Sequence, residues 1–509
     1  MSFRLFIRKA GPAANAASSL RRPSVAMPLK AKILDARVAS RAHMSTQPED
    51  RPVSGFPTEV IKELPGDDPE DVLFNNLYGL RTVELNRPAK LNSLNGSMIR
   101  KILPRLIEWE KSDMANVIVM KGAGDKAFCA GGDVATLAQQ NKQGQKGQNA
   151  SVEYFAQEYK LDHYIATYKK PYIAFMDGIT MGGGVGLSIH APFRIATEKT
   201  VFAMPETTIG FFPDVGASFF LPKMPGFVGT YLALTSNRLT GANVFYSGIA
   251  THYLHSTSLA TLESRLAELR FRDWDSYKYR LEIIEMTIEE FVTGLPHNEP
   301  ILLRGELRKA IDRCFSKDSI DEVMAALQAE EGPTKAWAEK TLETLHQRSP
   351  TSVHVALRQM RKARNWSIQE TFQREHQIAS KFMAHPDFVE GVSARLISKP
   401  ATTPKWQPAS LEEVQPGSDI ASPMFQSEAG PSTLQLLTTR DYTSYPYQTG
   451  VPTEADVEKL VATGKKTQAE IVDHFVVQKK GRQGMRKIVE EIVSRKTYRK
   501  EDGKAAWIS

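Results

Sequence analysis

Cysteine and long apolar runs are what this 509-residue sequence has least of. Its two cysteines, Cys129 and Cys314, cannot form a disulfide framework, which indicates a reducing compartment. No run of 18 or more apolar residues occurs, so the sequence predicts no membrane-spanning helix. No repeat of fixed length is present. The remaining composition, 41% hydrophobic and 24% charged residues, excludes wholesale disorder, collagen-like repeats and a coiled-coil rod.

Acidic residues are almost missing from the first 44 positions. Those positions carry nine Lys or Arg and a single acid, Asp35, while the whole chain has a net charge of +7. The rest of the protein is therefore close to neutral, and its bulk charge gives no argument for a polyanionic ligand. A basic leader rich in Ala and Ser, without an apolar core, is typical of a mitochondrial transit peptide; a disordered basic tail is the alternative. We expect cleavage near residues 41–45 and a location in the mitochondrial matrix.

Composition divides the chain into six segments. After the leader and a polar linker, short apolar runs alternate with amphipathic stretches, which is the pattern of an α/β fold. From about residue 270 the sequence is charged with a helical period, and it later becomes rich in Pro, Ser, Thr and Gln. We predict a transit peptide (1–44), a linker (45–58), a catalytic core (59–270), a helical C-terminal part of the core protein (271–400), an extended linker (401–452) and a basic helical extension (453–509).

Apolar periodicity predicts individual elements within these segments. A tract rich in Gln, Gly and Lys at 139–151 has no apolar period, so we expect a mobile surface loop there. Thr467 and Glu470 form a capping-box signature, which predicts a helix start in the extension. The predicted strands are 80–85, 117–121, 172–176 and 193–196, and the predicted helices of the core include 95–111 and 153–168.

Two glycine clusters follow predicted strands. FCAGGD at 128–133 comes after the strand at 117–121, and MGGGVGL at 181–187 comes after the strand at 172–176 and before a stretch that could open a helix. Glycine lets a backbone turn tightly and present N–H groups to a ligand, and a helix N-terminus favours a negative oxygen. Either cluster alone fits a tight turn as well as an anion site. Two that converge would form an oxyanion hole.

Two carboxylates supply the remaining chemistry. Glu206, in FAMPE at 202–206, and Asp214, in GFFPDVG at 210–216, lie in apolar and aromatic sequence, where desolvation should raise their pKa values. An isolated Glu in such a setting is more often a paired structural acid, but beside two glycine clusters we interpret the pair as catalytic. Cys129 has no His or other base in its motif, so we do not expect it to be the nucleophile. The spacing of His, Cys and carboxylates predicts no metal site.

These motifs, in this order and spacing, resemble the crotonase (enoyl-CoA hydratase/isomerase) superfamily and, within it, the 3-hydroxyisobutyryl-CoA hydrolases. The resemblance covers about residues 70–415 and includes NRPAKLNSL at 86–94 and PKWQP at 404–408. It implies an α/β fold, a crotonase-like β/α superhelix of repeated ββα turns, followed by a helical C-terminal region and a basic helical tail. It also implies an acyl-CoA thioester hydrolase of valine catabolism, which releases 3-hydroxyisobutyrate and free CoA without a separate cofactor.

The resemblance assigns site residues position by position. It places the oxyanion-hole N–H groups at Gly132 and Gly183, and catalysis at Glu206 and Asp214. Glu206 either attacks the thioester carbonyl to give an acyl anhydride or activates a water, and Asp214 holds or deprotonates that water or tunes Glu206. Glu158 matches a position facing the acyl group and could bind the 3-hydroxyl, although its spacing fits a solvated helix residue nearly as well. The substrate-binding segment near the CoA adenine falls on Asn92, Ser93 and Leu94.

Other functions remain open at this point. Hydratases of the superfamily carry a second catalytic Glu where this sequence has Gly186, which disfavours an enoyl-CoA hydratase or isomerase. Residues 479–500 hold nine Lys or Arg against Glu490 and Glu491, either as a solvated face or as a docking surface for an RNA-rich or acidic partner. Fungal-type homologues of the hydrolase resemble a component of the mitochondrial small ribosomal subunit, so a structural role there, alone or beside catalysis, is the rival function. We expect the linker at 401–452 to uncouple this extension from the active site.

Overall fold

Strands of two sheets alternate along the chain through the middle of the protein. The computed structural model describes residues 61–415, 417–426, 434–447 and 449–508, so the predicted transit peptide and first linker lie outside the described residues. The strands of the first sheet are β1 (Val72–Leu77), β2 (Leu80–Leu85), β3 (Val117–Gly122), β5 (Tyr172–Met176), β7 (Phe193–Ala196) and β10 (His252–Tyr253). Those of the second are β4 (Ala127–Cys129), β6 (Ile179–Met181), β8 (Val201–Ala203) and β9 (Leu239–Thr240).

The strand order in the two sheets shows that the chain winds as a superhelix. The first sheet runs β1-β2-β3-β5-β7-β10 and is parallel from β2 onward, and the second runs β4-β6-β8-β9 with β4, β6 and β8 parallel. Each turn of the chain therefore adds one strand to each sheet before a helix follows, which confirms the predicted β/α superhelix of ββα turns. The strands predicted at 80–85, 172–176 and 193–196 are confirmed, and the one at 117–121 extends to Gly122.

Helices cover the two sheets and are the main regular elements of the described residues after 204. In chain order they are α1 (Gly96–Lys111), α2 (Val134–Asn141), α3 (Gln145–Ala166), α4 (Gly183–Ile189), α5 (Ala217–Phe220), α6 (Val228–Thr235), α7 (Ala242–Tyr246), α8 (Leu259–Ala267), α9 (Tyr277–Glu289), α10 (Gly305–Phe315), α11 (Ile320–Gln328), α12 (Lys335–His346), α13 (Pro350–Lys362), α14 (Ile368–Ala384), α15 (Pro386–Val392), α16 (Ser422–Phe425), α17 (Glu454–Val461), α18 (Gln468–Gln478) and α19 (Met485–Lys496). The predicted helices at 95–111 and 153–168 correspond to α1 and α3. None of the described helices is long and apolar enough to cross a membrane.

Strand β3 shows how helices come to cover both faces of the first sheet. Ile118 and Met120 lie in an apolar cluster with α1 and the end of α3, whereas Val117 and Val119 lie in a cluster with α8 and α9. Because successive strand residues point to opposite faces, a continuous apolar run is required when both faces are buried. A third cluster joins α3 to the later helices, including those of the extension.

The mobile loop predicted for 139–151 is wrong, because α2 and α3 meet there at a tight helical corner. Gly147 packs so closely that a Cβ built on it would lie 1.7 Å from Gln140 O. Ser151 Oγ donates to Asn141 Oδ1 at 2.7 Å, and both side chains are buried. The corner is thus held by a close backbone approach and polar contacts, neither of which produces an apolar period.

The segment predicted as an extended linker, 401–452, lies against the core. It has little regular structure, as expected, but the rings of Tyr442 and Tyr445 pack edge-on to Phe219 with centroids 5.3 and 5.1 Å away. Arg440 Nη1 pairs with Glu110 Oε1 at 2.8 Å. Helices α17 to α19 and the hairpin of β11 (Thr497–Arg499) and β12 (Ala505–Trp507) follow, in the same compact unit as the core. The structure therefore corrects the expectation that this segment uncouples the extension.

Candidate active site

The two glycine clusters meet at the ends of the neighbouring strands β4 and β6. A Cβ built on Gly183 would lie 3.3 Å from Gly132 N, and one built on Gly131 would lie 3.9 Å from Gly183 N. Gly131 (φ +107°) and Gly182 (φ +44°) adopt backbone angles that residues with a Cβ rarely reach. The sequence folds this way because only glycine permits both the angles and the close approach.

Two neighbouring backbone amides, those of Gly132 and Gly183, are not used by the secondary structure around them. Gly132 N takes no part in the bridge to Leu94, which is formed by Gly131 O and Asp133 N. Gly183 begins α4, so its N–H has no carbonyl one turn earlier to donate to. The structure thus brings together the two N–H groups that the sequence assigned to an oxyanion hole.

Two buried carboxyl groups lie beside these amides, and a third, Asp214, lies close enough for its charge to act on both. Glu158, on α3, is 1% exposed, so it is not a solvated helix residue. Its carboxyl group packs against Gly183, because a Cβ built on that glycine would lie 2.5 Å from Glu158 Oε1. Glu206 begins a 3₁₀ turn, and its Oε1 would lie 3.3 Å from a Cβ on Gly182. Asp214 follows in the next loop and accepts a 2.7 Å hydrogen bond from Tyr159 O–H through Oδ2.

Burial changes the proton affinity of all three groups. Desolvation raises the pKa of Asp214 to about 7, although the Tyr159 hydroxyl opposes the shift. Desolvation raises the pKa values of Glu158 and Glu206 well above their usual range, and the negative charge of Asp214 raises them further. Asp214 can therefore ionise near pH 7, and its negative charge favours the protonated forms of Glu158 and Glu206.

Two more buried acids, which the motifs did not indicate, complete the cluster. Asp162 lies one helical turn after Glu158 on α3, and both of its carboxyl oxygens are buried without a hydrogen-bond partner. The spacing of four residues could have indicated it. Glu375, from α14, accepts from Gly216 N at 2.7 Å and Ser218 N at 2.8 Å. It belongs to no motif, and its position depends on the folding of α14 against α3.

Gly186 is required by this packing. A Cβ built on it would lie 2.6 Å from Asp162 Oδ2 and 2.8 Å from Val215 Cβ. Real Cβ atoms essentially never approach other atoms this closely, so no larger side chain fits here without movement of its neighbours. A second glutamate at this position, as in hydratases, is thus incompatible with the surroundings of Gly186.

The backbone after Asp214 is strained and firmly held. Val215 has φ +55° and Gly216 φ +89°, and left-handed geometry at a β-branched residue costs about 1–3 kcal/mol. Glu375 binds the amides of this loop, and Gln359 Nε2 donates to Pro213 O at 2.6 Å. Side chains from distant helices therefore fix the position of the Asp214 carboxyl.

In the segment at 92–94, which was predicted to bind substrate, the Asn92 side chain has a structural role. The Asn92 amide donates to Ala123 O and Ala127 O at 2.9 and 2.8 Å, and its oxygen accepts from Arg87 N. The Asn92 side chain therefore holds the turn against β4 and has no free group for a substrate. Leu94 O accepts from Tyr154 O–H and Asp133 N. Ser93 is half-buried, and its carbonyl accepts from Arg87.

Cys129 is unsuited to nucleophilic attack. It is fully buried, burial raises the pKa of its thiol to about 12, and Sγ lies 3.6 Å from Gly131 O. Within the described ranges, no three His, Cys, Asp or Glu side chains are arranged to hold a metal ion.

Comparisons with known proteins agree with this geometry. The family described as enoyl-CoA hydratase/isomerase matches residues 80–423. The chain is 58% identical to small ribosomal subunit protein mS47 of Neurospora crassa over 96% of both chains, and 43% identical to the mitochondrial 3-hydroxyisobutyryl-CoA hydrolase of Gallus gallus over 68% of this chain and 87% of that one. A solved carnitinyl-CoA dehydratase from Mycobacterium thermoresistibile superposes with a TM-score of 0.62 at 32% identity, covering 72% of this chain and 99% of that one. The chain belongs to the enoyl-CoA hydratase/isomerase family.

Proposed function

We propose that this protein hydrolyses the thioester of 3-hydroxyisobutyryl-CoA in the mitochondrial matrix. The observation that carries the proposal is the position of Glu158 and Glu206 beside the adjacent amides of Gly132 and Gly183, with Asp214 buried near both carboxyl groups. The lack of room for a carboxylate at residue 186 argues against hydration of a double bond. The relatives named as mitochondrial 3-hydroxyisobutyryl-CoA hydrolases support the substrate and the compartment.

A base with a pKa near 7, Asp214, whose charge favours the protonated form of Glu206, supports a direct attack by water. The thioester carbonyl oxygen accepts from the Gly132 and Gly183 N–H groups, which stabilise the oxyanion that forms. Ionised Asp214 takes a proton from water as its oxygen bonds to the carbonyl carbon. The C–S bond then breaks, and Glu206, which holds a proton, gives it to the departing CoA thiolate. No separate cofactor is needed because CoA is part of the substrate.

Glu158 accounts for the preference for a 3-hydroxyacyl group. It lies on the Gly183 side of the amide pair, and its Oε1 is buried without a partner among the described residues. A buried carboxyl oxygen without a hydrogen bond is unfavourable, and a substrate hydroxyl, which can donate as well as accept, would satisfy it. We therefore expect esters that lack the hydroxyl to be poorer substrates.

Replacing Glu206 tests the function itself. Glu206→Gln removes the proton donor while keeping the size of the side chain, so we expect hydrolysis to fall by about 10²–10⁴-fold. Free thiol release is measured on 3-hydroxyisobutyryl-CoA, 3-hydroxypropionyl-CoA, isobutyryl-CoA and crotonyl-CoA. Glu198→Gln is the matched control, because Glu198 is a half-buried acid that binds Ser256 and not the glycine turns. Near-normal turnover in the Glu206 variant would refute the assignment.

Isotope labelling tests whether Glu206 forms an anhydride that water opens at the Glu206 carbonyl. In a single turnover in H₂¹⁸O, direct attack by water places one ¹⁸O in the acid product. If Glu206 instead forms an anhydride whose Glu206 carbonyl is then attacked by water, the first product is unlabelled and the label stays on the protein. We expect labelled product.

Association with the mitochondrial small ribosomal subunit is the second candidate function. It is favoured by the relative named small ribosomal subunit protein, whose match extends over 96% of this chain, whereas the hydrolase of Gallus gallus matches 68%. Several of the nine basic residues at 479–500 already have acidic partners, including Arg482, Arg486 and Arg495. The exposed pair Arg499 and Lys500 is the better contact for phosphates.

Charge substitutions test this association without removing packed residues. Arg499→Gln combined with Lys500→Gln should move the protein toward the light fractions of a sedimentation gradient of mitochondrial lysate. For each phosphate contact, log affinity should fall by about 0.7–0.9 per log unit of salt. Lys335→Gln with Lys340→Gln, at exposed positions of α12, is the control. If the unmodified protein stays in the light fractions at low salt, the ribosomal candidate fails.

A further inference from the structure

The C-terminal segment 434–447 lies beside the loop that carries Asp214. Tyr442 and Tyr445 both pack edge-on to Phe219 of α5, and their own ring centroids are 5.9 Å apart. The family match ends at residue 423, so both tyrosines lie beyond it. A segment outside the matched domain thus forms part of the wall behind the candidate active site.

One of the two tyrosines is linked to the loop by hydrogen bonds. Tyr445 Oη lies 3.1 Å from His190 Nδ1, and His190 Nε2 lies 3.3 Å from Val215 O. A carbonyl oxygen only accepts, so Nε2 carries the hydrogen. Burial lowers the pKa of His190 to about 3, so the ring is neutral and Nδ1 accepts from the Tyr445 hydroxyl.

His190 also touches the backbone of the loop directly. A Cβ built on Gly216 would lie 2.1 Å from His190 Nε2, so the ring rests on the strained pair Val215 and Gly216. The left-handed conformation there persists only where the surroundings impose it. Gln359 and Glu375 hold the two flanks of the loop, and His190 holds its centre.

We propose that Tyr445 is a positioning residue: through His190 it fixes the Val215 peptide and so the position of the adjacent Asp214 carboxyl. The C-terminal extension is then part of the catalytic apparatus and not an appendage to it. The expected effect on rate rests on the proposed hydrolysis, whereas the effect on the loop can be measured without activity.

Two conservative substitutions isolate the hydroxyl group. Tyr445→Phe keeps the ring on Phe219 and removes the hydroxyl, with its 3.1 Å bond to His190 and its longer 3.5 Å contact with Ile189 O. Tyr442→Phe is the matched control, because Tyr442 lies in the same aromatic group and its hydroxyl is buried without a partner among the described residues. We expect kcat for 3-hydroxyisobutyryl-CoA to fall by about 5- to 30-fold in Tyr445→Phe, the factor expected for one buried hydrogen bond, with KM nearly unchanged. The control should match the unmodified enzyme.

Hydrogen–deuterium exchange provides a readout that does not need activity. Amides of residues 211–220 should exchange faster in Tyr445→Phe than in Tyr442→Phe. Equal exchange in the two variants overturns the inference, and so does faster exchange with an unchanged kcat. If the unmodified enzyme hydrolyses none of the CoA esters, the proposed function fails, and the exchange comparison alone decides whether Tyr445 holds the loop.

Discussion

The buried carboxyl groups beside the glycine turns differ in what stabilises their charge. Asp214 accepts a hydrogen bond from Tyr159, whereas one oxygen each of Glu158 and Glu206 has no partner in the described part of the chain. Hydrogen bonds to a carboxylate favour its charged form, so the three acids do not compete equally for a proton. A division of labour follows, in which Asp214 is the base and Glu206 is the acid.

The rate of hydrolysis should therefore rise with pH. The pKa of Asp214 is raised to about 7 by burial, and the base is active only after losing its proton, so kcat should increase through about pH 7. Burial and the negative charge of Asp214 raise the pKa values of the acids that face it, Glu158, Asp162, Glu206 and Glu375. Thiol release between pH 5.5 and 9 measures the profile. A rate that falls across this range would contradict the assignment of Asp214 as base.

Asp162 should destabilise the protein increasingly as the pH rises. Burial raises the pKa of its carboxyl well above the usual range, so the folded chain retains a proton that the unfolded chain releases above about pH 4. Its contribution to stability is present below that pH and is lost as the pH rises toward the raised pKa. Asp162→Asn does not titrate, so its gain in Tm over the unmodified protein should grow from pH 4 to pH 8.

Thermal melts across this range measure the effect, with the exposed Asp113→Asn as the control. A gain in Tm that is the same at every pH would show that Asp162 is not protonated in the folded chain.

Part of the site could be predicted from the sequence because its chemistry lies in short motifs. Glu206, Asp214 and the glycine turns each carry a local signature of composition and spacing. Glu375 does not, since it reaches Gly216 across 159 residues of chain. Such a contact is created by the packing of α14 and leaves no trace in either segment alone.

Among the elements, strands were predicted more accurately than the connection at 139–151. A buried parallel strand is a continuous apolar run, which the sequence displays directly. The corner between α2 and α3 depends on Gly147 and on hydrogen bonds between polar side chains, which resemble the composition of a loop. Local polarity therefore indicates exposure only when the polar groups lack partners.

Gly147→Ala tests this corner. The added methyl group would meet Gln140 O, so we expect the free energy of unfolding to fall by about 1–3 kcal/mol. Gly66→Ala is the control, because nothing lies within 4 Å of a Cβ built there. Urea unfolding of both variants gives the comparison, and equal midpoints would mean that the corner is loose in solution.

At the scale of the whole molecule, part of the charge of the extension, Arg482 and Arg495, is turned inward. Arg482 binds Glu285 on α9 at 2.7 Å and Thr251 O at 2.6 Å, and it is 8% exposed. A run of basic residues has the same sequence whether it faces solvent or distant acids, so the sequence could not decide between a solvated face, a docking surface and an internal clamp. The capping box at Thr467 and Glu470, which is local, was predicted and is confirmed.

Because the buried ion pairs of Arg482 and Arg495 join the extension to its surroundings, we expect core and extension to unfold together. Arg495 on α19 is buried and binds Glu491 at 2.9 Å and Glu454, so Arg495→Gln leaves Glu491 without its cation and Glu454 with Arg308 alone. Removal of one member of a buried ion pair costs about 3–5 kcal/mol, and we expect a loss of that size in a single urea transition. Arg486→Gln, on the exposed side of the same helix, should change stability little. Exchange protection and tryptophan fluorescence should give the same midpoint, because α19 and the core share one apolar cluster. If α17 to α19 instead lose protection at lower urea than the core, the extension is a separate unit, and its contact with the Asp214 loop is too weak to govern catalysis.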